Sequence, residues 1–128
     1  MVLAYYGIQA SEEELGIVAK TTLDHGTTPA NLARAARSLG LSGSWKRDAT
    51  IEDLKEAVEA GIPAIANWFS VDEGHYSVVV GANDARVTVL DPETGKRRSF
   101  PTETFLRVWF DFPFPYVKRP ADLRVRWM

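Results

Sequence analysis

The stretch GHYSVVVGANDARVTVLDPETGKRRSF, residues 74–100, decides the fold. His75–Gly81 is a β-branched run that stops at Asn83-Asp84, a turn pair. Arg86–Leu90 is a second strand, halted by Asp91-Pro92 with Gly95 to complete the reversal. Lys96–Phe100 is a shorter third. Strands separated only by turns form an antiparallel meander, and the buried run Pro63–Phe69 just upstream supplies one strand more.

Working outward, the residues before this meander read as helices. Met1–Tyr6 reads as the last turns of a buried helix, closed by Gly7. Ser11 with Glu14 is a capping box opening a helix over about Glu12–Lys20. Thr28-Pro29 starts another, with Leu32, Ala35, Ala36 and Leu39 as its apolar face and Gly40 as its stop. Ser42–Lys46 reads as a weak strand. Thr50 with Asp53 opens a fourth helix that ends at Gly61. After the meander, Thr102 is placed to cap a last helix over Glu103–Phe110, and the following FPFPYV, with two prolines, favours an extended segment. Helices first, then an antiparallel sheet, then one helix is an α+β layout.

Composition excludes several function classes. The chain has 128 residues, 45% hydrophobic and 25% charged, as expected of a globular domain. It has no cysteine, which removes disulfides, cysteine-ligated zinc and a thiol nucleophile within these residues. The net charge of -2 gives no electrostatic case for nucleic acid. No apolar run approaches the roughly 20 residues of a membrane span. The start lacks a basic region followed by an apolar one, so no signal peptide is read and a cytoplasmic location is the default. The expected division is a domain over 1–112 and a basic extension over 113–128. In that extension Lys118, Arg119, Arg124 and Arg126 stand against Asp122, a net of +3 facing the acidic body.

Two positions stand out chemically. His75 opens one strand and Asp91 ends the next, so a hairpin brings them to the same end. An imidazole and a carboxylate placed there can pair, the carboxylate fixing the ring's tautomer and orientation. Asp91 also fits a purely structural role, bracing the Asp91–Gly95 turn. Trp68 and Tyr76 are candidate walls of a cleft beside His75. The other tryptophans, Trp45, Trp109 and Trp127, read as core or wall residues. His25 with Asp24 reads as a solvated loop. Those two with His75 and Asp91 match no metal-ligand spacing, so neither a metal nor a cofactor is expected.

The segments MVLAYYG (1–7), GTTPANLARAARSLGL (26–41), GIPAIANW (61–68), GHYSVVVGAND (74–84) and RVTVLDPETGKRRSFPTETFLRVW (86–109) together resemble the papain-like bacteriocin-processing peptidases, family thirty-nine of the cysteine peptidases. The resemblance implies a papain-like α+β fold, with N-terminal helices packed on a C-terminal antiparallel sheet. It implies a peptide or protein substrate, such as a double-glycine leader, and puts His75 in the place of the family's histidine and Asp91 in that of its aspartate. The family's cysteine, on the N-terminus of its first helix, falls about ten residues before Tyr5-Tyr6, upstream of Met1, and its oxyanion glutamine falls there too. The expectation is therefore a domain inactive as it stands, either a truncated form of an active peptidase or a peptide-binding module.

Overall fold

A computed structural model of the chain describes residues 1–70, 74–111 and 124–128. The chain forms two compact units, Met1–Lys46 and Arg47–Met128.

The first unit is helical: α1 (Val2–Tyr5), α2 (Glu12–Val18) and α3 (Pro29–Ser38). The capping signals act as read. In α2 the Ser11 hydroxyl accepts from the Glu14 amide at 3.1 Å, and the Glu14 carboxylate accepts from the Ser11 amide at 2.8 Å. In α3 the Thr28 hydroxyl accepts from the Asn31 amide, with Pro29 at the first helical position. Three readings are corrected. The α1 helix is one turn long and none of its residues is buried, because one turn offers too few side chains to cover a face. Ser42–Lys46 forms no strand. Arg37 instead donates to the Gly43 carbonyl, and a Cβ at Gly43 would lie 2.4 Å from the Ala33 carbonyl oxygen, so this segment lies against α3 rather than beside a strand. Trp45 is exposed, not core.

The second unit holds α4 (Ile51–Glu59), then β1 (Ala64–Phe69), β2 (Gly74–Ala82), β3 (Arg86–Leu90), β4 (Arg97–Pro101), α5 (Thr102–Val108), β5 (Phe110–Asp111) and β6 (Arg124–Val125). The first four strands form an antiparallel sheet in sequence order, the meander expected, and β5 pairs with β6. α4 opens on a Thr50–Asp53 capping box and ends with Gly61 at φ +68, where the Ile62 amide reaches back to the Ala57 carbonyl. This six-to-one bond turns the chain directly into β1.

Register sets the faces. Trp68 lies opposite His75 and Asn67 opposite Tyr76. Side chains alternate along a strand, so Ala64, Ala66 and Trp68 share one face with His75, Ser77 and Val79. An extra residue between Val79 and Gly81 bulges β2, so that Ala82, paired with Val87, also returns to that face. That face packs with Leu54 of α4, Phe105 of α5 and Trp109 just after α5, all fully buried.

Thr102 does not cap α5. Pro101 holds the cap position without a side-chain bond, and the helix ends at Val108 rather than Phe110. The Thr102 hydroxyl instead donates to the Asn83 carbonyl at 2.8 Å, tying the helix start to the β2–β3 turn. Residues 124–128 are built into this unit: the Asn67 and Ala49 amides donate to the Trp127 and Arg126 carbonyls, and the Trp109 indole donates to the Trp127 carbonyl. FPFPYV (112–117) and the rest of the basic extension through Leu123 lie outside the described residues.

Candidate active site

The site grows from the open end of the β2–β3 hairpin. His75 is the second residue of β2, and Asp91 follows the last residue of β3. His75 Nε2 and Asp91 Oδ1 lie 2.9 Å apart. Asp91 is fully buried at 1% exposure, while the His75 side chain keeps 17%. One nitrogen of the ring is thus engaged from beneath.

Asp91 makes contacts both to the ring and within the turn. Its Oδ1 accepts from the Glu93 amide at 3.0 Å as well as facing His75, and its backbone carbonyl accepts from the Gly95 amide. The aspartate that braces the turn is the aspartate that orients the ring. Its Oδ2 accepts from Arg98 Nη1 at 3.2 Å. Burial alone would push this carboxyl up. The hydrogen bonds from His75, Arg98 and the Glu93 amide outweigh burial and hold it below the ordinary carboxylate value. An ionised carboxylate only accepts, so Nε2 of the neutral ring carries the proton and Nδ1 is left with its lone pair. An imidazole in this state is a proton acceptor at Nδ1.

Trp68 packs against His75. It is buried, its ring meets the His75 ring edge-on at 5.9 Å between centroids, and its indole donates to the Ser77 hydroxyl at 3.1 Å. Tyr76 is placed differently. As the neighbour of His75 along β2 it points to the other face of the sheet, with its cross-strand partner Asn67. Adjacency in sequence suggested a shared cleft, and the pleat separates them.

Arg98 went unread in the sequence. In the Lys96-Arg97-Arg98 run all three residues look solvated, and register alone distinguishes them. Arg98 lies two residues before Phe100, hence on its face, and that spacing was the available signal. Its guanidinium sits 5.2 Å from the Trp68 ring centroid and 5.1 Å from that of Phe100.

His75, Asp91 and Glu93 bring one ligand-type atom each within 4.8 Å of one another, the one such trio among the described residues. The Arg98 charge on Asp91 opposes a cation there. His25 and Asp24 join no such group and lie in an exposed turn closed by Thr22 and Gly26. Among the described residues no helix is long and apolar enough to cross a membrane.

Helices followed by a four-stranded antiparallel sheet with an imidazole–carboxylate pair at its mouth make the chain a papain-like, peptidase-type domain. The pattern of the peptidase C39 family matches residues 1–112, and the chain belongs to that family. It is 34% identical over 114 residues to the transport/processing ATP-binding protein ComA of Streptococcus pneumoniae, covering 85% of this chain and 15% of that protein. It is 33% identical over 112 residues to the lactococcin-A transport/processing ATP-binding protein LcnC of Lactococcus lactis subsp. lactis, with the same coverage. An uncharacterised protein of Methanothermobacter marburgensis is 36% identical over 97 residues, 76% of this chain and 63% of that one. The chain therefore spans only a small part of the streptococcal and lactococcal transporters. The crystal structure of the peptidase domain of Streptococcus ComA, described as a bifunctional ABC transporter of a quorum-sensing pathway, superposes with a TM-score of 0.69 at 22% identity. That superposition covers 99% of this chain and 82% of the other, and establishes the shared fold.

Proposed function

We propose that the chain carries the base half of a peptide-processing site, and that its 128 residues alone hold a peptide without cleaving it. His75 is the proton acceptor, through Nδ1, and Asp91 fixes the ring. Trp68 walls the cleft in which an extended peptide with a double-glycine leader end lies. The observation that carries this reading is the 2.9 Å pairing of His75 Nε2 with the buried Asp91, which leaves Nδ1 as the working nitrogen. A thiol becomes a nucleophile when a neighbouring imidazole takes its proton. These residues contain no cysteine, so in the isolated chain Nδ1 has only water to activate. A general base without a nucleophile contributes at most about 10²–10⁴-fold.

The same absence favours a second reading, a peptide-binding module with no cleavage step. The two are separated by what the cell makes. An intact mass showing a longer product with a cysteine makes His75 and Asp91 the catalytic partners of that thiol. A product of these 128 residues makes the domain a binder. For the isolated chain, the test is incubation with a double-glycine peptide while binding and cleavage are followed together. Binding without turnover is expected. Turnover that His75→Ala abolishes would overturn the inactivity, and absence of binding would overturn the peptide site.

A further inference from the structure

Four side chains, one from each strand of the sheet or its end, close a ring of contacts. His75 of β2 pairs with Asp91 at the end of β3 at 2.9 Å. Asp91 accepts from Arg98 of β4 at 3.2 Å. The Arg98 guanidinium lies over Trp68 of β1 at 5.2 Å, and Trp68 meets the His75 ring edge-on at 5.9 Å. From these contacts we infer that Arg98 is a positioning residue: its stacked guanidinium locks the Asp91 carboxylate in the one orientation that presents Oδ1 to His75 Nε2.

The division of Asp91's oxygens carries the argument. Oδ1 serves the ring and the Glu93 amide, and Oδ2 serves Arg98. A carboxylate held at only one oxygen turns about its Cβ–Cγ bond, a soft torsion. With both oxygens committed, that rotation breaks a charge-assisted bond. The Arg98 side chain is 38% exposed, so solvent alone would leave it mobile. What restrains it is the aromatic pair beneath it, Trp68 and Phe100. A lysine at this position supplies the charge but neither the flat contact nor the fixed direction of the N–H donors.

Among the described residues, three charged groups lie about the ring. Asp91 and Glu93 face it from the β3–β4 turn and Arg98 from β4, while Asp111 of β5 lies against Gly74 on the opposite face. Glu93 is exposed, and the contact to Nε2 is that of the buried Asp91.

This inference rests on the role proposed above for His75, but its test does not need a peptide. In the full 128-residue chain, nitrogen-15 NMR at mildly alkaline pH reads the His75 ring proton on Nε2 and its exchange with solvent. The parent should show a low-field, protected proton. Arg98→Met should speed its exchange by about tenfold or more, the factor expected from losing one charge-assisted bond. Arg98→Lys should fall between the two. A parent-like exchange rate in folded Arg98→Met overturns the inference. If Arg98→Met fails to fold, Arg98→Lys decides alone, and a parent-like rate there overturns it. Failure of peptide binding with the ring exchange as expected would refute the proposed function and leave Arg98's role standing.

Discussion

Gly74, immediately before His75, is there because of Asp111. A Cβ built on Gly74 would lie 2.0 Å from Asp111 Oδ1, 2.3 Å from its Cγ and 2.6 Å from Oδ2. Real Cβ contacts are essentially never under 3.0 Å, so Gly74→Ala must displace the carboxylate by about 1 Å or more. Asp111 cannot yield freely. Its Oδ2 accepts from Asn67 Nδ2 at 3.0 Å, and Asn67 is 1% exposed with its Oδ1 already unpartnered. Moving Asp111 therefore strands a buried amide at both ends. Losing that bond costs about 1–3 kcal/mol and overpacking a further 1–3, against roughly 0.5–1 recovered by replacing a strand glycine. The net expectation is a loss of about 1–5 kcal/mol.

A urea-unfolding double-mutant cycle with Asp111→Ala checks this. Asp111→Ala alone should cost about 1–3 kcal/mol. Adding Gly74→Ala to it should cost nothing further, or return a few tenths, because the clash has gone. Two outcomes refute the reasoning: Gly74→Ala within about 0.5 kcal/mol of the parent, or a Gly74→Ala cost that persists in the Asp111→Ala background.

Three further perturbations have definite expectations. Lys20 closes α2 at φ 52, in the left-handed region where other helices of this chain place glycine; Lys20→Gly should be neutral or stabilise by up to about 1 kcal/mol in urea unfolding. Deleting residues 124–128 removes the acceptors of the Asn67 and Ala49 amides and the Trp109 indole, all on residues at most 1% exposed; a loss of about 3 kcal/mol or more is expected, and unchanged thermal unfolding would show the segment to be ornamental. Asp91 is held below its ordinary value of 3.8, so its contribution is complete above that value and is lost as pH falls through the folded value. Urea midpoints of Asp91→Asn should therefore fall less steeply than those of the parent below about pH 4, and parallel curves would contradict this.

Much of the fold was legible because its signals are local. The turns at Asn83-Asp84 and Asp91–Gly95 and the capping pairs at Ser11, Thr28 and Thr50 act within a few residues of themselves. His75 and Asp91 were legible for the same reason, since chain reversal alone brings them together. What sequence missed depends on partners distant in the chain. The Thr102 hydroxyl is taken up by donating to the Asn83 carbonyl, and Ser42–Lys46 has α3 beside it instead of a strand. Arg98 is distinguished from Arg97 only by which face of β4 the register turns inward. Tyr76 was misplaced by the same gap, as adjacency along a strand means opposite faces.

Because Asp91 serves turn and ring together, the two members of the pair should respond differently to removal. Asp91→Ala strips the acceptor from His75, from the Glu93 amide and from Arg98, and leaves the guanidinium on its aromatic bed without a counter-charge. With three donors affected, of which Arg98 and Glu93 can reach water, a cost of about 3 kcal/mol is expected. His75→Ala leaves Asp91 with two of its three donors and removes one edge contact to Trp68. Its cost should be about 1 kcal/mol. Urea unfolding of the two variants side by side measures the difference. If His75→Ala proved as costly as Asp91→Ala, the imidazole itself would be part of what holds the hairpin mouth closed. The smaller cost expected would mark His75 as a side chain that the sheet supports and does not need, as the role proposed for it requires.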